Sequence, residues 1–375
     1  METRNFTQLI KAEIFSLPRN GILIFNACCL VVLVFLIGFI YDMGVLGRIP
    51  TVIADLDSSS ASRNITQQFI ESDKFAVTRA DSPSAVLDQV NKGEAAVGLV
   101  LPPGLSEDFK RQRGAEVLLI INGTNYIVAN TAYAKASEIL QTLNAGIAIK
   151  TLEGKGFLSQ EAQKTVQAIK LEQKILYNPD YNYAYYLTYG VLGVGVFSLL
   201  MSAISVTLSR QGKSKGFTAS ELAAKLIVYG GFACIMTNVI FRLAQVIFKL
   251  PAKGFLGGFF GLTFFYGYLI VLFALLLWVV AVDEVRIFQA GVFFATPLFF
   301  ITGYTWPLES IPWFMHFLYW LCPFTPFLNG VRASLVMGAG YQVVFKYMLW
   351  ELALIAVYLP IVWLVYKKRL VICRK

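Results

Sequence analysis

Residues 299–315 read Phe-Phe-Ile-Thr-Gly-Tyr-Thr-Trp-Pro-Leu-Glu-Ser-Ile-Pro-Trp-Phe-Met. The stretch runs on through Cys322-Pro-Phe-Thr-Pro-Phe-Leu-Asn-Gly-Val-Arg332 to Gly338-Ala-Gly340. It is strongly apolar and aromatic, yet Gly303, Pro307, Pro312, Pro323, Pro326 and Gly330 interrupt it too often for one continuous helix. A hydrophobic run of about residues 286–304 precedes it, and another of about 345–366 follows. Broken helix at membrane depth survives only where protein buries it or it lines a cavity, because lipid cannot satisfy freed backbone groups. Segment 305–340 is therefore predicted to be a re-entrant or interfacial hairpin capping a pathway, with Gly303, Pro307, Glu309, Pro312 and Pro323 as its marking residues.

Working outward, the composition agrees with a membrane reading. Of the 375 residues 57% are hydrophobic and 14% aromatic, and the mean hydropathy is +0.62. A soluble core of that make-up would leave too few polar residues to cover it. The formal charge of +9 is unevenly placed. Residues 42–180 hold 14 Lys+Arg against 16 Asp+Glu, and the remainder 18 against 7. A basic surplus confined to the membrane portion suits anionic headgroups and loop ends of the lipid bilayer, not nucleic acid. Cys28, Cys29, Cys234 and Cys322 lie in apolar segments and Cys373 in the basic tail, a pattern with neither a disulfide framework nor metal-ligand spacing.

Along the chain, residues 1–20 read as a cytoplasmic interfacial helix with Phe6, Leu9, Ile10, Ile14 and Leu17 on its apolar side, and Lys11 and Glu13 elsewhere on the wheel. The first span, 21–41, is long enough to cross and is read as an anchor, not a cleavable signal. Its Asn26 is read as a helix–helix hydrogen bond. Residues 42–185 have the composition of a soluble α/β domain. Strands are predicted at 51–54, 95–101 and 117–121, and helices at 60–71, 84–91, 105–113, 127–151 and 159–177, with Ser159 as an N-cap. A tyrosine-rich lead-in brings the chain to residue 186, and 186–375 is read as a membrane domain with five further spans near 187–208, 222–241, 256–281, 286–304 and 345–366. The fold class is thus a polytopic α-helical membrane protein: six transmembrane helices plus a re-entrant hairpin, with an inserted α/β extracytoplasmic domain. With the N-terminus inside, the inner side receives thirteen Lys and Arg against five in the outer short loops. That predicts both termini in the cytoplasm of a bacterium, and the inserted domain outside its inner membrane.

Thr302 through Trp313, Pro323 through Arg332 and Gly338-Ala-Gly340 resemble the last-third signature of bacterial ABC-2 type permeases, the membrane subunits of ATP-binding-cassette exporters. Two stretches of the polar region match the same family: Val52-Ile-Ala-Asp-Leu-Asp-Ser-Ser-Ser-Ala-Ser-Arg63, and Ile121-Asn-Gly-Thr-Asn125 followed by Ala129 and Ala132. The resemblance implies an extracytoplasmic domain between the first two spans and a dimer, with a second copy or a homologous permease, that works with a separate ATP-binding cassette ATPase. It also implies a coupling helix, after the second span, that docks in a groove of the ATPase. Here the sequence departs from the family: the Glu-Arg-Glu-rich run common there is replaced by Arg210-Gln-Gly-Lys-Ser-Lys-Gly216.

The chain itself shows no nucleotide chemistry. Gly212-Lys213-Ser214 is the nearest approach to a phosphate loop, but Thr207 stands where the leading glycine belongs. No cofactor is expected on this chain, ATP and Mg being assigned to the partner. The expected ATPase-coupling surface comprises Arg210, Lys213, Lys215, Glu221 and Lys225; topology alone would equally account for the lysines. The expected substrate pathway runs between the second and fifth spans past Phe197, Met201, Phe294 and Phe299, apolar surface that suits a hydrophobic or amphipathic drug or lipid-like cargo. Two other functions stay open: a proton-coupled transporter using Asp283 and Glu284, and a membrane-anchored receptor or assembly factor. A periplasmic adaptor and an outer-membrane channel are further partners that the sequence leaves open. Asp55 and Asp57 have no His or Cys beside them and are read as turn-forming and capping carboxylates, not metal ligands.

Overall fold

The computed structural model describes residues 5–42, 48–111, 116–166, 176–178, 183–212, 217–280 and 283–373. The chain divides into two compact units, one formed by residues 1–42 with 184–375 and the other by residues 43–183.

The first unit opens with α1 (Phe6–Ser16) and α2 (Gly21–Asp42). Asn20 caps α2, its Oδ1 accepting from the amides of Ile22 and Leu23 at 3.1 and 3.3 Å. Its Nδ2 donates to Thr207 Oγ1 at 3.0 Å. Asn26 corrects the sequence reading: its amide donates to the Ile22 carbonyl of its own helix at 3.0 Å rather than across to another.

In the second unit, β1 (Ile49–Asp55), α3 (Ser60–Glu71), β2 (Phe75–Ala80), α4 (Pro83–Asn91), β3 (Val97–Leu101), α5 (Leu105–Lys110) and β4 (Leu118–Ile121) follow in turn, then α6 (Tyr126–Gly154) and α7 (Ser159–Val166). The sheet order is β2-β1-β3-β4, parallel except for β4. Because β1 lies between β2 and β3, the two crossovers run in opposite senses and place α3 and α4 on opposite faces. Alternation along β1 serves both. Ile49 and Ile53 pack with Ile65 and Phe69 of α3, while Val52 and Ala54 pack with Val86 and Val90 of α4. Strand β2 escaped the sequence reading, since Phe-Ala-Val-Thr-Arg-Ala offers only two large apolar residues, as befits an edge strand. Ser159 is not a cap. Leu158 supplies the carbonyl that Ala162 N bonds, and Ser159 Oγ donates to Glu153 instead. Residues 167–175 of the helix expected at 159–177 lie outside the described residues.

The carboxylates after β1 are structural. Asp55 accepts from the amides of Asp57 and Ser58 and from Ser62 Oγ. Asp57 caps α5, accepting from Gly104 N at 2.8 Å and Ser106 N at 3.2 Å. Its pKa lies below the ordinary carboxylate value, chiefly through the Ser59 hydroxyl and then these amides. A depressed folded-state pKa means that the contribution is present above the unfolded value and lost as pH falls through the folded one. Asp57→Ala in the full chain is therefore expected to speed amide exchange in α5 at pH 7, by about 1 kcal/mol of local stability, and to change little once the pH is well below 3.8.

The chain re-enters the first unit with α8 (Tyr183–Gln211), α9 (Ala219–Phe248), α10 (Leu256–Val280) and α11 (Glu284–Ile301). The interrupted stretch then contains only two single 3₁₀ turns, α12 (His316–Leu321), α13 (Phe324–Val331) and a π-helical turn at Arg332–Val336, before α14 (Tyr341–Cys373). Among the described residues six helices are long and apolar enough to cross a membrane: α2, α8, α9, α10, α11 and α14. Helix α8 is the most enclosed of them. Small residues allow this: a Cβ at Gly190 would strike the Tyr304 ring, and one at Gly193 the Leu328 side chain, each at 2.5 Å.

Candidate functional site

The quoted stretch is held together by its own polar residues. Helix α11 stops at Thr302, and Gly303 follows at φ +70°, the left-handed conformation that ends helices and favours glycine. The freed carbonyls that follow are each met. Asn329 Nδ2 donates to Thr302 O at 3.0 Å; Arg332 donates through Nη1 to Gly303 O at 3.4 Å and through Nη2 to Tyr304 O at 2.5 Å. The Tyr186 hydroxyl reaches the Tyr304 and Thr305 carbonyls at 3.0 and 3.2 Å. The Arg332 guanidinium also lies 4.1 Å from the Tyr304 ring centroid. Helix α13, Pro323 included, is buried against α10 and α14. The other half differs: Pro307, Glu309 and Pro312 are exposed, as are Trp306, Trp313, Phe314, Phe317 and Trp320. Indole and phenyl groups in that setting match a membrane–water interface.

At one end of the bundle a second polar cluster joins α1, α8, α9 and α14. Thr218 starts α9 with a capping box: its Oγ1 accepts from Glu221 N at 3.3 Å and Glu221 Oε2 accepts from Thr218 N at 2.6 Å. One turn on, Lys225 is 3% exposed. Its ammonium pairs with Glu13 of α1, donates to Gln211 Oε1 of α8 at 2.5 Å and stands 4.6 Å above the Phe217 ring. Tyr229 donates to the other Glu13 oxygen at 3.1 Å. The Tyr366 hydroxyl of α14 lies 2.5 Å from both the amide and the carbonyl of Phe217. Arg210 donates through Nε and Nη2 to Glu284 Oε2 at 3.0 and 2.9 Å, joining α8 to α11. Asp283 caps α11 by accepting from Arg286 N at 2.9 Å and pairs with the Arg286 side chain at 3.2 Å.

Of the residues expected at the coupling surface, Arg210 is half-exposed and ion-paired, Glu221 is occupied as a cap and Lys225 is an internal strut, not a surface group. Lys213 and Lys215 lie outside the described residues. What the start of α9 exposes is Thr218, Ala219, Ser220 and Ala223. Glu13 also changes place: it faces inward between Leu9 and Leu17 rather than away from the core.

The four pathway residues do not share one lining. Met201 and Phe299 sit along the α8–α11 seam, where Ser198 Oγ donates to Gly291 O at 3.1 Å. Phe197 packs instead into an aromatic core with Tyr266, Phe273 and Phe324, at centroid distances of 6.0, 5.6 and 5.3 Å. Phe294 is 61% exposed. The sequence reading missed Glu351, wholly buried on α14; a lone acid in an apolar run was the available signal.

These features coincide with what comparison finds. The family model described as "ABC-2 family transporter protein" matches residues 21–364. The chain is similar to the probable multidrug ABC transporter permease YbhR of Escherichia coli K12, 24% identical over 315 residues that cover 81% of this chain and 82% of that protein. It is also similar to the inner membrane transport permease YhhJ of the same organism, 23% identical over 345 residues and 87% of each chain. No solved structure matches it. The match takes in the six candidate spans, the inserted α/β unit and the interrupted stretch together, so this chain belongs to the ABC-2 transporter family as a multi-pass membrane subunit.

Proposed function

We propose that the chain is the membrane half of an ATP-driven exporter, carrying a hydrophobic or amphipathic drug or lipid-like cargo out of the cytoplasm or inner membrane. A second copy completes the passage, and a separate cassette ATPase holding ATP and Mg binds the end formed by α1, the α8–α9 connection and α11. Both termini then face the cytoplasm and residues 43–183 lie outside, the arrangement that the thirteen-to-five distribution of Lys and Arg supports. The names of YbhR and YhhJ, a probable multidrug ABC transporter permease and an inner membrane transport permease, point the same way. An adaptor and an outer-membrane channel would then meet the external domain.

The polar cluster around Lys225 is the observation that carries this reading. A displacement of the α8–α9 connection is passed through Lys225 and Gln211 to α1 and α8, and through Phe217 and Tyr366 to α14, so force applied at one loop reaches the spans. Ser220 is exposed on the proposed docking face. With the cassette ATPase added to proteoliposomes, dye export is expected to require ATP, and Ser220→Trp is expected to lower the stimulation of ATP hydrolysis roughly tenfold, about 1.4 kcal/mol of docking energy. Export driven by a pH gradient with no ATPase present would overturn the reading in favour of a proton-coupled carrier.

A further inference from the structure

Among the described residues two side chains of the Asp, Glu, Lys and Arg types are buried, Lys225 and Glu351. Lys225 has Glu13. Glu351 is 0% exposed, and neither carboxylate oxygen meets a hydrogen-bonding partner. It stands on the inward stripe of α14 with Val344, Met348, Leu354, Val362 and Tyr366, a position where helical periodicity calls for another apolar residue. An unpaired buried carboxylate costs several kcal/mol, so in this packed arrangement the group is held as the neutral acid.

Its neighbours give the site a chemistry. Helix α14 packs along α10 and α13. Tyr266 of α10, within electrostatic reach of Glu351, stacks on Phe327 at 3.7 Å, and both belong to the aromatic core of Phe197, Phe324, Phe273 and Tyr358. The titratable and charged groups on α10, α13 and the turns flanking α13 are Tyr266, Tyr268, Cys322 and Arg332, and within two turns of Glu351 α14 itself adds Lys346, Tyr347 and Tyr358. The Tyr266 hydroxyl is spent on Gly193 O at 3.0 Å and the Tyr358 hydroxyl on Leu321 O at 2.7 Å, and Arg332 is spent on the 303–304 carbonyls. A carboxyl without a countercharge, on a helix packed against an aromatic core, is the recognition set for a lipophilic cation.

We propose that Glu351 and this aromatic core form a binding site for a lipophilic monovalent cation of the quaternary ammonium or phosphonium class. The cation enters when α14 separates from α10 and α13, and the Glu351 proton passes to water as it does so, one positive charge replacing another. Calling the cation cargo rests on the exporter reading; the binding itself does not.

The test uses the full chain in lipid nanodiscs without any ATPase, and radiolabelled tetraphenylphosphonium as the probe. Saturable binding is expected, tighter at pH 8 than at pH 6 and accompanied by proton release. Glu351→Gln should weaken it at least tenfold, about 1.4 kcal/mol, and remove the pH dependence, while Glu351→Asp should keep that dependence. No saturable binding by the unaltered chain would overturn the site. So would unchanged binding in Glu351→Gln, or a Glu351→Leu variant that raises the Tm and binds the probe as before. Because no ATPase is present, failure here leaves the exporter reading standing. Transport that proves independent of ATP while probe binding persists would sink only that reading.

Discussion

Lys225→Met is expected to lower stability by roughly 3 kcal/mol, the low end of the cost of breaking a buried ion pair. The methionine fills the space, but Glu13 is left between α1 and α9 with the Tyr229 hydroxyl as its remaining donor from that cluster. Its side chain is 18% exposed, so water offsets part of the loss. Glu13→Gln should cost less, because Lys225 keeps Gln211 and the Phe217 ring. The pair Glu13→Leu with Lys225→Met should recover most of the loss, since apolar groups can replace a buried pair at little cost. A thermal unfolding double-mutant cycle in detergent, closed by the single variants Glu13→Leu and Lys225→Met, measures the coupling. Additive effects of the two changes would show that the pair does not join α1 to α9. The double variant should also uncouple ATP hydrolysis from export even where stability returns, because the polar link to the α8–α9 connection is gone.

Arg332→Met should have a comparable effect at the other polar cluster. It leaves the carbonyl of Gly303 with no donor and that of Tyr304 with only Tyr186, and it removes the cation from the Tyr304 ring. Each unmet carbonyl costs about 1–3 kcal/mol where water is excluded, so a total loss of roughly 3 kcal/mol is expected. Arg332→Lys should rescue little. A lysine is a single point charge and cannot both fork between two carbonyls and stack on the ring. Chymotryptic cleavage within 305–322, which holds Trp, Phe and Tyr but neither Lys nor Arg, reports the release of the segment; a rate unchanged from that of the parent chain would remove Arg332 from the role given to it.

Much of this could be read directly. The apolar runs at 21–41 and 256–281 become α2 and α10 within a residue or so at either end, and the helix expected at 60–71 is α3. The punctuation of 302–340 marked a broken element. The polar partners that make the break tolerable, Asn329 and Arg332, stood inside the same motif as residues of no stated role. Pathway residues were harder to place, because an aromatic side chain in a span looks the same in sequence whether it faces the core, like Phe197, or outward, like Phe294.

By itself, the sequence marked the chain as a membrane protein, the runs long and apolar enough to cross and the point where a helix must stop. Lipid offers no hydrogen bonds, so long apolar runs have to close their own backbone bonds as helices, and Gly303 with the prolines after it prevents that locally. Only the tertiary structure decided which charges are buried and with whom. Glu13 and Lys225 are 212 positions apart, and Glu351 is alone on its stripe because of what α10 and α13 bring against it. Pairing across such distances depends on how helices pack, a property of the whole bundle that no local pattern of residues encodes.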